Sequence, residues 1–187
     1  MHGWSLQSVI QARSAPPVDI MDTHFTQQLQ GATAAVRPDV NVGVPLYLFG
    51  SQYPGNKALN PAAFTDPATT PIGCVAGVDF PCSPARQGTL GRNTLRGFGA
   101  TQWDFSVHRD FSVFESLKLQ FRIEAFNVLN HPNFGPPNVG FGSPGFGLSS
   151  AMLGQSFAGA TFGTGGLSPL YQIGGPRSLQ AALKLSF

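Results

Sequence analysis

Four carboxylate residues occupy or adjoin two segments in which polar and apolar residues alternate: Asp104, Asp110, Glu115 and Glu124. Paired carboxylates can act as general acid and base, so they are the first candidates for catalysis. The alternation places three of them on the polar face of predicted strands, where charge pairing explains them better. The sequence contains no GxSxG motif and no phosphate-binding loop, so we expect no catalytic residue and no enzyme activity.

The histidines and cysteines are the next residues with chemistry of their own. The histidines show no metal-ligand spacing, and the segment CVAGVDFPC matches no zinc pattern, so we expect no bound metal and no cofactor. The two cysteines would either form a short disulfide in an oxidising compartment or remain unpaired thiols. These residues are His2, His24, His108, His131, Cys74 and Cys82.

The composition of the whole chain limits its class. Charged residues make up 11% of the 187 residues, whereas Gly (23) and Pro (16) are abundant. Soluble domains carry roughly 25% charged residues, so this composition favours β-strands joined by irregular loops. Lys and Arg are scattered without a basic run, and we expect no nucleic-acid partner. No run of about 18 apolar residues and no signal peptide is visible, so we expect an exported protein to carry a further N-terminal portion.

Four segments alternate between apolar and polar residues, which predicts four β-strands with one face of each kind. The predicted strands cover residues 3–13, 102–111, 117–129 and 178–187. Their lengths suit a transmembrane strand tilted at about 45°. Strands of a soluble sandwich also alternate, so the connections have to decide between the two.

The connections between the predicted strands differ greatly in length. Residues 112–116 form a short turn, whereas the loops 14–101 and 130–177 are far longer than is usual inside a compact soluble domain. Outer-membrane barrels combine short periplasmic turns with long extracellular loops. We therefore predict an all-β fold of antiparallel strands in the C-terminal part of a transmembrane β-barrel, with its C-terminus periplasmic and its long loops extracellular. A barrel needs at least about 8 strands, so residues 1–187 are expected to be one C-terminal barrel fragment whose partner is the remainder of the parent barrel.

The apolar positions of these strands are expected to face outer-membrane lipid, with Phe121 near the middle of the bilayer. In the alternative, a soluble or surface-exposed β module for adhesion or assembly, the same residues would pack against a second sheet. The predicted lipid-facing residues are Trp103, Phe105, Val107, Leu119, Phe121, Ile123 and Leu183.

The turn at residues 112–116 also predicts how the second and third strands pair. In the simplest register, the numbers of opposed residues sum to about 228. Asp110 then lies opposite Lys118, which is favourable. Asp104 lies opposite Glu124, which is unfavourable unless the diagonal Arg122 intervenes.

The long loops contain two further features with open interpretations. Arg92 and Arg96, in GRNTLRG, would either contact an anionic ligand such as lipopolysaccharide or hydrogen-bond the loop to the barrel rim. Residues 132–176 lack charged residues and are rich in Gly, which indicates either a loop that packs on itself or plugs a barrel mouth, or an aromatic surface for an apolar or sugar-like ligand. The aromatic residues of this segment are Phe134, Phe141, Phe146, Phe157, Phe162 and Tyr171.

The last residues, QAALKLSF, resemble the closing signal of outer-membrane barrels, which ends in an aromatic residue with a hydrophobic residue two positions earlier. In this sequence the matching positions are Gln180, Leu185 and Phe187, and Ala182 stands where Gly is common. The resemblance implies recognition by the barrel-assembly machinery.

Three longer blocks carry a second resemblance: LGRNTLRGFGATQWDFSVHRDF, LQFRIEAFNVLNHPNFG and PLYQIGGPRSLQAALKLSF. Together they resemble the C-terminal region of TonB-dependent receptor-like proteins with a carboxypeptidase-regulatory-like domain, of the acidobacterial type, over about residues 85–187. The resemblance implies a structural, membrane-embedding part of an outer-membrane receptor or transporter, whose substrate it does not name. The plug, the energy-coupling box and most of the strands of such a receptor are expected outside this sequence.

Overall fold

The computed structural model describes residues 3–25, 27–29, 32–34, 36–75, 78–79, 82–114, 117–157 and 174–187. His2, Glu115, Phe162 and Tyr171, which were considered above, lie outside these residues. No helix in the described ranges is long and apolar enough to cross a membrane. The elements in chain order are β1 (Trp4–Arg13), β2 (Pro17–Val18), β3 (Met21–Asp22), β4 (Gln27–Leu29), β5 (Ala32–Ala34), β6 (Asp39–Val40), β7 (Tyr47–Phe49), a 3-10 turn (Pro54–Asn56), β8 (Lys57–Leu59), a second 3-10 turn (Pro61–Ala63), β9 (Phe64–Thr65), β10 (Thr69–Thr70), β11 (Ser83–Pro84), β12 (Leu95–Arg96), β13 (Ala100–Ser112), β14 (Lys118–Phe126), β15 (Gly140–Phe141), α1 (Leu153–Phe157) and β16 (Ser178–Ser186).

The chain divides into two compact units. The first, which we call the sheet unit, comprises residues 1–14, 99–135 and 151–187, and the second, the loop unit, comprises residues 15–98 and 136–150. The fold is all-β, with one short helix among the described residues.

The four long strands of the sheet unit form one antiparallel sheet in the order β1-β13-β14-β16, so strands that follow one another along the chain are neighbours. Arg13 pairs with Ala100 and Phe126 pairs with Ser178, so both long connections leave the sheet at the same end, which we call the connection end. The short turn between β13 and β14 lies at the opposite end, the turn end. This arrangement is the meander in which barrel strands follow one another.

The structure differs from the sequence-based prediction in strand pairing. The residue numbers of each opposed pair in β13 and β14 sum to 230 rather than to the predicted value of about 228, so Asp110 faces Gln120 and not Lys118. The turn is closed by hydrogen bonds from Val113 N (2.9 Å) and Phe114 N (3.2 Å) to the carbonyl of Leu117, and the numbers of Val113 and Leu117 also sum to 230. The predicted register is therefore wrong by two residues.

The corrected register also removes an unfavourable contact. Glu124 lies opposite Ser106, so the predicted Asp104–Glu124 opposition does not occur. Asp104 instead accepts a hydrogen bond from the backbone N–H of Asn127 at 2.9 Å. Asn127 has a left-handed backbone (φ 49), which ends β14 at Phe126 rather than at residue 129 as predicted.

The loop unit contains short strands within the predicted loops 14–101 and 130–177. Among the described residues its two-residue and three-residue strands form six pairs, of which β3–β15 is parallel and joins the two segments of the unit. The aromatic rings of Phe64, Phe141 and Phe146 meet edge to face, with centroids 5.5–6.2 Å apart. The buried core comprises Ile20, Leu59, Ala63, Phe64, Leu90, Leu95 and Phe146.

Candidate functional site

Strand pairing divides the side chains of the sheet into two chemically distinct faces. Because side chains alternate along a strand and opposed residues share a face, the registers of the three strand pairs define each face completely. The apolar face comprises Trp4, Leu6, Ser8, Ile10, Ala12, Thr101, Trp103, Phe105, Val107, Arg109, Phe111, Leu119, Phe121, Ile123, Ala125, Leu179, Ala181, Leu183 and Leu185. The polar face comprises Gln7, Gln11, Gln102, Asp104, Ser106, His108, Asp110, Gln120, Arg122, Glu124, Gln180 and Lys184, among others.

All seven residues predicted to face lipid lie on the apolar face. This face is open: Leu6, Ile10 and Leu183 are 68%, 70% and 69% exposed. A soluble sandwich would bury these positions against a second sheet, which is the packing expected from the alternative interpretation. The exposure of so many large apolar side chains on one surface is typical of a face that contacts lipid or another apolar partner.

Two polar groups of the apolar face contact neighbouring side chains on the same face, although Arg109 Nε is buried without a hydrogen-bond partner among the described residues. The indole N–H of Trp103 donates a hydrogen bond to Ser8 Oγ at 2.8 Å across the β1–β13 pair. The guanidinium of Arg109 lies over the rings of Trp4 (5.0 Å) and Phe111 (4.5 Å). Both arrangements reduce the cost of placing a polar group in an apolar environment.

The position of Arg109 affects the depth in the bilayer that is expected for Phe121. The two residues are directly opposed across the β13–β14 pair, at the second apolar-face position from the turn end. One step nearer the connection end, Ile123 has Val107 opposite it on one side and Ala181 on the other. The level of Ile123 is therefore a better estimate of the bilayer centre than the level of Phe121, because an Arg is tolerated best near an interface.

The polar face carries paired side chains around an open concavity of about 300 Å³. Arg122 forms an ion pair with Glu124, and Gln120 Nε2 donates to Asp110 Oδ1 at 2.8 Å. Asp104, also on this face, accepts a hydrogen bond from Gln102 at 2.8 Å. The three described carboxylates predicted to pair thus each have a polar partner.

A network of buried amides ties the connection end of the sheet to the residues that follow β14. The side chain of Asn133 (1% exposed) accepts a hydrogen bond from Thr101 N at 2.8 Å and donates one to Thr101 O at 3.0 Å. The side chain of Asn127, also 1% exposed, donates to the carbonyls of His131 (2.9 Å) and Gly175 (2.8 Å). We call these amides, Asn127 and Asn133, the amide latch.

The sequence analysis did not identify the amide latch. The segment FNVLNHPNFG does contain a recognisable indication, because Asn127 and Asn130 both adopt the left-handed backbone (φ 49 and 51) that Asn tolerates better than most residues. The partners of the latch, at Thr101 and Gly175, are 32 and 48 residues away along the chain. Sequence spacing alone could not have identified them.

The residues of the predicted assembly signal lie on or just beyond β16. Gln180 and Ala182 pair with Glu124 and Arg122 on the polar face. Leu185 lies on the apolar face opposite Leu119, and Phe187, which follows the strand, is almost fully exposed. The C-terminal end of the predicted motif is thus exposed, whereas Gln180 is half-buried in the paired strand.

The loop unit brings together three residues, of which the sequence analysis considered only His24. His24 Nδ1 lies 2.9 Å from Asp66 Oδ1 and 3.3 Å from Asp22 Oδ1. Burial raises the pKa of the Asp22 carboxyl to about 6, against the opposing effect of the hydrogen bond from His24 N. We call these residues the Asp-His-Asp cluster. The separation of Asp66 from the other two along the sequence hid this grouping.

Three other features considered in the sequence analysis can be located in the loop unit. Cys74 and Cys82 form a disulfide, with Cα atoms 5.8 Å apart. Arg96 donates a hydrogen bond from Nη1 to the carbonyl of Asn93 at 3.1 Å, a contact within the loop that tests neither the anionic-ligand interpretation nor the barrel-rim interpretation of GRNTLRG. Phe141 and Phe146 of the charge-free segment belong to the core of the unit or pack against it.

Comparison with known proteins adds the observation that decides the family. The family model described as "Outer membrane beta barrel domain" matches residues 1–160. The chain belongs to this family. Searches of curated proteins and of solved structures gave no match.

Membership of the outer membrane β-barrel domain family agrees with the two faces of the sheet. It locates the protein in the outer membrane and implies a membrane-embedded, structural role. The match spans β1, β13 and β14 and the residues of the loop unit between and after them.

Proposed function

We propose that this chain forms part of the wall of a TonB-dependent receptor or transporter, to which it contributes membrane-embedded strands and surface structure but no catalysis. The observation that carries the proposal is the continuous apolar face of the four-stranded sheet, backed by a polar face with paired charges. In a barrel these two faces would contact lipid and the lumen, respectively. The resemblance of residues 85–187 to TonB-dependent receptor-like proteins supports the specific class.

The proposed orientation places the turn end of the sheet in the periplasm and the long loops outside the cell. It is supported by the general rule that outer-membrane barrels have short periplasmic and long extracellular connections. The C-terminus, at Phe187, would then be periplasmic, where the barrel-assembly machinery could bind the motif formed by Gln180, Ala182, Leu185 and Phe187.

The proposed partners follow from the edges of the sheet. Within the described residues, β1 and β16 each pair on one side only. Unpaired strand edges are strongly disfavoured in a bilayer, because water cannot satisfy their backbone groups there. We therefore propose that β1 and β16 pair with further strands of the parent barrel, and that outer-membrane lipid covers the apolar face.

The receptor class can be tested separately from the barrel itself. The intact gene product that contains this chain would be purified from outer membranes and tested for binding to the periplasmic domain of TonB, with a variant lacking its energy-coupling box as the control. We expect binding by the intact protein and loss of binding by the control. An outer-membrane protein that folds correctly but does not bind TonB would contradict the receptor class and leave the barrel assignment intact.

A further inference from the structure

The Asp-His-Asp cluster has a geometry that its hydrogen bonds do not fully explain. One potential ligand atom from each of Asp22, His24 and Asp66 lies within 4.8 Å of the others. Two carboxylates and one imidazole thus converge on a single point of the loop unit. Such a combination of oxygen and nitrogen atoms is typical of sites for divalent transition metals.

The surrounding backbone holds these side chains in place. Asp22 ends β3, and its N–H donates to the carbonyl of Val36 at 2.7 Å. His24 N donates to Asp22 Oδ1 at 3.0 Å, and the imidazole packs edge-on against the ring of Phe141 at 5.9 Å. Asp66 follows β9 directly. The ligand atoms are therefore positioned by the fold of the unit and do not depend on the rotamers of long side chains.

One atom of the cluster lacks a partner. The side chain of Asp22 is fully buried, and its Oδ2 atom has no hydrogen-bond donor among the residues that the structure describes. A buried carboxylate oxygen without a partner is costly, and the neighbouring carboxylate of Asp66 adds repulsion. A cation at the centre of the cluster would compensate both effects.

We propose that Asp22, His24 and Asp66 bind a divalent transition-metal ion of the Zn²⁺ class. Zn²⁺ binds imidazole nitrogen and carboxylate oxygen at about 2.0–2.2 Å, so its ligands in a tetrahedral site are about 3.4 Å apart. The observed distances from His24 Nδ1, 2.9 and 3.3 Å, need to open by only a few tenths of an ångström.

The chemistry of the cluster also distinguishes between metals. Ca²⁺ prefers six to eight oxygen ligands and seldom uses imidazole, whereas Zn²⁺ accepts three protein ligands with water as the fourth. The side chains of His24 and Asp66 are 35% and 33% exposed, so solvent can reach the site. The ion would crosslink residues 22–24 to residue 66 and would stabilise the loop unit.

The test uses the full chain in detergent micelles, stripped of metal with a chelator and titrated with Zn²⁺ by calorimetry above neutral pH, with Ca²⁺ in a parallel titration. Asp66→Asn and His24→Gln remove one ligand each with little change in size. Asp79→Asn is the matched control. Asp79 is an exposed aspartate of the same unit, lies outside the cluster, and accepts a hydrogen bond from the backbone N–H of Val75. We expect one Zn²⁺ per chain, an affinity at least about tenfold weaker in both ligand variants, and no change in the control.

A second measurement needs no variant. Modification of the histidines of the unaltered chain by diethylpyrocarbonate, followed by mass spectrometry, should show that Zn²⁺ protects His24 but not His108. The proposal is overturned if Zn²⁺ does not bind saturably, if both ligand variants bind it as tightly as the unaltered chain, if Ca²⁺ binds in preference to Zn²⁺, or if His24 is modified equally with and without Zn²⁺. None of these outcomes depends on whether the protein binds TonB.

Discussion

Ile123 offers the sharpest energetic test of the membrane-embedded sheet. It lies five residues from the start of β14 at the turn end, a distance of about 17 Å along a strand, or about 12 Å along the membrane normal at a tilt of 45°. The apolar band of a barrel is about 25 Å tall, so Ile123 should lie near its middle. Replacing Ile123 with Arg should therefore cost about 2–4 kcal/mol of folding free energy.

The magnitude depends on what surrounds the new charge. The opposed residues Val107 and Ala181 offer no hydrogen-bond acceptor in their side chains, and Ile123 is already 41% exposed on the apolar face. Arg at this position must therefore be desolvated by lipid or must extend about 12 Å to the interface.

The assay is urea unfolding of the intact gene product in lipid vesicles, with Gln120→Arg as the matched control. Gln120 lies on the polar face beside Asp110, so Arg there should cost less than about 1 kcal/mol. If Ile123→Arg destabilises the protein no more than Gln120→Arg does, the assignment of the apolar face to lipid is wrong.

Three further predictions concern the amide latch and the loop unit. Asn133→Ala should lower the free energy of unfolding by about 1–3 kcal/mol, measured by urea titration, because it removes both hydrogen bonds between the buried Asn133 side chain and the backbone of Thr101. A neutral effect would show that the latch does not contribute to stability. Mass spectrometry of exported, unreduced protein should show Cys74 linked to Cys82, with about 2–3 kcal/mol lost on reduction, whereas two freely alkylated thiols would contradict the disulfide. The hydrogen bonds from Arg86 hold the pKa of the Asp39 carboxyl below its ordinary value of 3.8. Because the pair is partly exposed, it should stabilise the fold by less than about 1 kcal/mol. This stabilisation is present above pH 3.8 and is lost as the pH falls through the lowered pKa. Acid titration of Asp39→Asn should therefore lack this component, and an acid-unfolding profile identical to that of the unaltered chain would rule it out.

The faces of the sheet could be predicted from the sequence, but the register could not. Shifting two strands by one residue exchanges their faces, so the alternation around Phe105 and Ile123 determines which side chains are apolar-facing. Shifting the two strands by two residues leaves every side chain on the same face. Alternation therefore cannot distinguish a register in which opposed residue numbers sum to about 228 from one in which they sum to 230. The register is instead determined by the turn, where the backbone N–H groups of Val113 and Phe114 donate hydrogen bonds to the carbonyl of Leu117.

The loop unit was missed for a different physical reason. Its strands are two or three residues long, which is too short to produce a detectable period. Its stability comes from contacts between distant residues, such as Phe64 with Phe141, and from the parallel pairing of β3 with β15. Asp22 and His24 are two residues apart, but Asp66 joins them only through this packing. A metal-binding pattern of that kind is not visible in the linear sequence.

Lipid-phase labelling of single cysteines tests the membrane-facing sheet most directly. Cysteine would be placed at residue 121 or at residue 120 of the intact gene product, and isolated outer membranes would be treated with a thiol reagent dissolved in the lipid phase. The apolar face predicts labelling at position 121 and not at position 120, in protein that fractionates with the outer membrane. Recovery of the protein in a soluble fraction, with neither position labelled, would contradict the membrane-embedded sheet.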